Sequence, residues 1–140
     1  MPFRHGFLSG GHPFVKIIVS ADGTNRSEPF PALIDTGYSD FVSVSLILAT
    51  QLGLKPHTTT RYELADGRLT EPVPVALGYA GIEGDKLVGG LISISRANAA
   101  LVGVKFLQLC RKGLVILGGQ VMFLPEDELE ALAKARKQKE

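Results

Sequence analysis

Pro31-Ala32-Leu33-Ile34-Asp35-Thr36-Gly37-Tyr38-Ser39 is the stretch on which the reading of this chain turns. An apolar run leads directly into a carboxylate, and a small hydroxyl residue and a glycine follow. Burying a charge is costly unless hydrogen bonds compensate it. An Asp at the end of an apolar strand therefore needs nearby donors. Thr36 can offer a hydroxyl, and Gly37 allows backbone N–H groups to approach closely. The same tripeptide is also ordinary turn chemistry. The stretch alone leaves both readings open.

Working outward, the flanking residues read as short strands. Phe14 to Ser20 is β-branched, and Asp22-Gly23 follows as a turn. Phe30 to Ile34 is a short apolar strand that Asp35-Thr36-Gly37 breaks. Val42 to Leu54 turns helical towards its end. Ser43 or Ser45 can cap that helix, and Gly53 and Pro56 stop it. Tyr62 to Ala65 and Leu69 to Val75 flank Asp66-Gly67, a hairpin signal. Val73, Val75 and Leu77 alternate with Pro74 and Ala76, and the prolines suggest a sheet edge. Gly81 to Asp85 is a turn and Leu87 to Ser95 another strand. Val104 to Leu109 fits one helical turn. Gly113 to Leu117 and Gln120 to Leu124 flank Gly118-Gly119 as a last hairpin. Pro125 to Glu140 reads as a helix starting at Pro125, with acids early and bases late, as its dipole favours. Its apolar side is thin, Leu129 and Leu132, so a surface tail is the competing reading. Residues 1–12 look like a loose arm. The pattern predicts a mostly-β, barrel-like domain over 13–124, followed by a helix or tail at 125–140.

The bulk numbers agree. With 140 residues and a hydrophobic fraction of 45%, the chain suits one domain with a real core. A net charge of +1 gives no strong field towards nucleic acid or anionic membrane. Cys110 is the only cysteine, so no internal disulfide forms, which fits a reducing compartment. No apolar run is long enough to span a bilayer, and Lys16 interrupts the first apolar run, so no secretory signal is read. The expectation is a soluble cytoplasmic protein. His5, His12 and His57 lack metal-ligand spacing, so neither metal nor cofactor is expected. Cys110 has no His near in sequence and reads as an idle thiol.

Ala32-Leu33-Ile34-Asp35-Thr36-Gly37 resembles the active-site signature of the retropepsin-like aspartic proteases. A second feature of that family, two apolar residues and a glycine after a late strand, is matched by Leu101-Val102-Gly103. Asp35 and Gly103 lie 68 positions apart (103 − 35), similar to the family's separation. Between them, Leu64-Ala65-Asp66-Gly67-Arg68 falls where the family has its flap. An aromatic after the Asp-Thr-Gly, here Tyr38, is similar to small bacterial members. The chain departs from the pattern at Tyr38, where retroviral enzymes usually carry Ala or Ser. It departs again at Lys105, where small bacterial relatives often have Asp, and in its C-terminal helix.

The resemblance implies a closed β-barrel of the acid-protease fold and peptide hydrolysis by paired carboxylates. Only Asp35 has the apolar-Asp-Thr-Gly setting, so the second carboxylate would come from another copy across a two-fold axis. Asp35 would then be catalytic, with Thr36 bonding across the axis and Gly37 supporting the carboxylates. Ala65, Asp66, Gly67 and Arg68 would form the flap, and Leu101, Val102 and Gly103 would pack behind the site. The partners implied are a second copy and an extended peptide, with no nucleic acid and no membrane. Two other readings compete: a retropepsin-fold dimerisation or peptide-binding module without turnover, and a structural β-barrel subunit in which Asp35 is a turn residue.

Overall fold

The computed structural model describes residues 4–139. Eleven strands and three helices follow one another among these residues. They are β1 (Arg4–His5), β2 (Phe7–Ser9), β3 (His12–Ser20), β4 (Phe30–Ile34), β5 (Val42–Ser45), α1 (Leu46–Leu52), β6 (Thr58–Thr60) and β7 (Val73–Ile82). Then come β8 (Val88–Ser95), β9 (Leu101–Val102), α2 (Val104–Leu109), β10 (Lys112–Leu117), β11 (Gln120–Pro125) and α3 (Glu126–Lys139).

Side-chain alternation places the core. In β3, Val15, Ile17 and Val19 are fully buried while Lys16 is exposed, the period of two that a pleated strand imposes. Strands β3, β4, β9, β5, β8 and β7 hydrogen-bond in that order, and β7 pairs back onto β3 through Ile17 and Ile82, so the six form a ring. Two of its pairings are parallel: β4 with β9 and β5 with β8. Inside lie Val42, Val44, Ile92, Val102 and the tilted pair Phe41–Phe106, whose ring centroids are 5.7 Å apart. Each such side chain contributes roughly 1.5–3 kcal/mol by leaving water. That burial makes the ring a firm mount for the loops at its ends.

Local chemistry explains several boundaries. The Ser45 hydroxyl accepts the Leu48 N–H at the start of α1, and Gly53 ends it in the left-handed region at φ 73°. The last hairpin turns at Gly118, also left-handed. Pro74 is not on an outer strand as expected, because β7 lies between β6 and β8. The β7–β8 ladder begins only at Val75, however, so the missing N–H of Pro74 faces no β8 partner. Pro125 closes β11 instead of opening the helix, which starts at Glu126.

The residues expected to be a loose arm form strands from Arg4 onward. Strand β1 pairs with β11, making a small sheet in the order β1-β11-β10, and β2 pairs with β3. Backbone pairing outweighs the thin apolar pattern there, and the Arg4 guanidinium adds an ion pair to Asp85 at 2.9 Å. Residues 1–3 of that arm, Glu140, and the side chains of Leu129 and Leu132 expected to form the apolar side of α3 lie outside the described residues. Among the described residues no helix is long and apolar enough to cross a membrane.

Candidate active site

Asp35 stands one residue beyond β4, and two backbone bonds hold it there. The Leu33 N–H donates to the Ala100 carbonyl at 2.9 Å, and the Asp35 N–H donates to the Val102 carbonyl at 3.0 Å. Strand β9 thus clamps the end of β4, and Ile34 is anchored in the core. The chain then turns sharply, with the Tyr38 N–H donating to the Asp35 carbonyl at 3.0 Å. In that turn the Gly37 N–H reaches the Asp35 side chain and donates to Oδ1 at 3.0 Å. A Cβ on Gly37 would lie 3.2 Å from the same oxygen, a tight fit that glycine avoids. The Thr36 side chain is exposed at the loop tip and, among the described residues, gives no hydrogen bond to Asp35.

Leu101, Val102 and Gly103 lie directly behind this loop. The Gly103 N–H donates to the Phe41 carbonyl, and the next two N–H groups donate to the carbonyls of Tyr38 and Asp40. The chains approach so closely that a Cβ on Gly103 would fall 2.3 Å from both of those carbonyl oxygens. Lys105 takes part only through its backbone, and its side chain is exposed. An Asp or a Lys at that position can therefore serve the same contact.

A cavity of about 400 Å³ opens on one side of Asp35. Gly37, Tyr38 and Leu101 line it, with Ser43, Ser93 and Ser95 adding hydroxyl groups. Among the described residues two carboxylates face it, Asp35 and Glu63, and no Lys or Arg does. A second cavity of about 370 Å³ lies on the other side, between Asp35–Thr36 and the Leu114 and Ile116 side chains of β10. Asp35 is half-buried between the two.

The expected flap is a loosely tied hairpin. The Leu64 and Gly67 N–H groups donate to the carbonyls of Arg68 and Leu64, and Glu63 bridges Leu69. Gly67 takes φ 86° at the turn, and Arg68 pairs with Asp66 at 2.6 Å. Ala65, Asp66, Gly67 and Arg68 are all exposed, and none of them lines the cavity. The hairpin's base does line it, through Tyr62 and Glu63.

Sequence reasoning missed the polar cluster at that base. The Tyr62 hydroxyl donates to Asp40 Oδ2 at 3.2 Å and is hydrogen-bonded to the Ser93 hydroxyl. The Tyr38 hydroxyl reaches Ser93 at 3.1 Å and Tyr62 at 3.3 Å. Burial holds the Tyr38 phenol well above its ordinary range, so it stays protonated. One signal was present in the sequence: in β8, Ile92 and Ile94 alternate with Ser93 and Ser95, placing serines on the face opposite the core. Cys110 lies elsewhere, half-buried, and burial, with Asp85 nearby, pushes its thiol up to about 12 despite Lys112. A thiol so held is a poor nucleophile at neutral pH. Among the described residues no three His, Cys, Asp or Glu side chains gather to hold a metal.

Comparison with known proteins identifies the fold. No family profile matches the chain, and no curated protein does. Solved structures do match. A retropepsin-like aspartic protease from Rickettsia conorii superposes with a TM-score of 0.60 at 18% identity, over 88% of this chain and 91% of that one. The EIAV protease bound to the inhibitor HBY-793 superposes with a TM-score of 0.53 at 15% identity, over 75% of this chain and 93% of that one. The chain has the retropepsin-like fold.

Proposed function

We propose that the chain is one half of an aspartic endopeptidase, in which the Asp35 carboxylates of two copies meet and hydrolyse peptide bonds. The observation that carries this reading is the mount of Asp35. A buried strand end, a β9 clamp and the Gly37 N–H hold one carboxylate at the mouth of a cleft. Hydrolysis without metal or covalent intermediate needs a base for the water and an acid for the carbonyl oxygen and the leaving amine. Two facing carboxylates that share one proton supply both roles, since like charges so close cannot both ionise. One takes a proton from the water as its oxygen attacks the carbonyl carbon. The other protonates the carbonyl oxygen, and the amine leaves with a proton as the C–N bond breaks.

The geometry around the loop suits a two-fold partner. Thr36 is exposed at the tip, beside the outer edge of β10, which has no strand neighbour among the described residues. Ile116 and Leu117 on β10 are 49% and 70% exposed, apolar surface that a second copy would cover. The protease unit would comprise residues 13–124, with Leu101, Val102 and Gly103 as the support behind the loop and residues 65–68 as the flap tip. An extended peptide would lie across the cleft as an added strand beneath that flap. The lone cysteine fits work in a reducing compartment such as the cytoplasm.

Replacing Asp35 with Asn tests the reading. Cleavage of a denatured protein substrate should fall by roughly a thousandfold or more, the scale of a lost acid–base group, while sedimentation still shows the dimer. Undiminished cleavage by pure Asp35→Asn protein would end the proposal.

A further inference from the structure

The hairpin at 63–69 has few ties to the rest of the chain, and those at its base converge on one residue. Among the described residues, every side chain from Glu63 to Leu69 is exposed. Their hydrogen bonds and ion pair stay within the hairpin. At the base, the Thr70 N–H donates to the Tyr62 carbonyl at 2.8 Å, and the Tyr62 N–H donates to the Thr70 hydroxyl at 3.0 Å. The Tyr62 ring then packs edge-on against Tyr38, with centroids 5.6 Å apart, and its hydroxyl reaches Ser93 and Asp40.

The protons in this cluster have a consistent direction. Tyr62 gives its proton to the Asp40 carboxylate, so it must accept from Ser93. Ser93 in turn accepts from Tyr38. Each hydroxyl donates once, and the chain ends on a carboxylate, the arrangement that strengthens successive hydrogen bonds. Ser93 is 2% exposed and sits on β8, one of the six strands of the ring, on the face that lines the cavity. Tyr38 and Asp40 belong to the loop that carries Asp35. One side chain therefore ties the hairpin to β8 and to the loop that carries Asp35 together.

We infer that Tyr62, Ser93, Tyr38 and Asp40 form a latch that sets the position of the 63–69 hairpin at the rim of the cavity holding Asp35, making Tyr62 a positioning residue for substrate. Its catalytic consequence rests on the peptidase reading, whereas the latch itself does not. The chemistry asked of Tyr62 is that of its hydroxyl alone, so Tyr62→Phe keeps the ring packing and removes only the bonds.

Amide hydrogen exchange and peptide kinetics on the full-length protein test it separately. In Tyr62→Phe the amides of Leu64, Gly67 and Thr70 should exchange about tenfold faster or more, as the loss of a hydrogen bond to a carboxylate predicts. KM for a peptide substrate should rise by a similar factor with kcat little changed. Ser93→Ala should repeat both effects, and Tyr79→Phe, on the outside of β7, should produce neither. Unchanged exchange in Tyr62→Phe overturns the latch and leaves the peptidase reading intact. Faster exchange with an unmoved KM overturns its role in positioning substrate. Faster exchange in a protein whose wild type cleaves no peptide supports the latch and counts against the peptidase.

Discussion

Single atoms decide what Asp35 can do. Its Oδ1 is committed to the Gly37 N–H, and its backbone is committed to β9, so the carboxylate has one well-defined orientation. Gly103 makes this possible, because only a residue without a side chain lets α2 begin against the carbonyls of Tyr38 and Asp40. A methyl group there meets backbone on two sides, where no rotamer change can relieve the clash. Gly103→Ala should therefore cost roughly 3 kcal/mol or more and lower the melting temperature by about 10 °C. A thermal melt that matches the wild type would show the approach to be looser than the distances imply. Both residues were visible in the sequence, since an apolar run ending in Asp-Thr-Gly and a late Leu-Val-Gly are local patterns. The Tyr38–Ser93–Tyr62 cluster was not, since its members are separated by tens of positions and each alone is an ordinary strand or loop residue.

At the level of elements, the proposed dimer rests on the small sheet β1-β11-β10. Its β10 edge runs beside the Asp35 loop, and its exposed apolar side chains cluster towards the Gly118 turn. An open, apolar strand edge invites pairing with another copy. Ile116→Asp places a carboxylate on that edge in both subunits. Because Ile116 is half exposed in the single chain, the monomer should fold normally. Its dimer dissociation constant should rise at least about thirtyfold, the size of one interface hot spot. Sedimentation velocity over a dilution series measures this, and an unaltered association would place the interface elsewhere. The hairpin β10–β11 was legible from Gly118-Gly119 and its flanking apolar runs. The strands at Arg4–Ser9 were not, because their short segments carry little pattern and gain their stability from β11 and β3, contributed by other parts of the chain.

For the whole molecule, the proposal of one catalytic carboxylate per chain gives a prediction about stoichiometry. If each site needs Asp35 from both copies, a mixed dimer of wild type and Asp35→Asn is dead. At constant total concentration, replacing half the chains by the variant and allowing exchange should leave about one quarter of the activity, the random yield of wild-type pairs in a two-fold dimer. A remaining half would mean that each chain works alone, and the dimeric site would have to be abandoned.

By itself, the sequence determined the mostly-β class, most strand positions, a serine cap at 43 or 45, the glycine turns and the carboxylate proposed to do chemistry. Those features depend on neighbours along the chain, where alternation, capping and turn preference act over a few residues. Only the tertiary structure decided that β4 lies parallel to β9, that β7 returns to β3, that the N-terminal segment joins the sheets, and that Tyr62 meets Ser93 and Asp40. These are pairings between distant segments. Their register follows from which faces bury together in the folded ring, and no local run of residues carries that information.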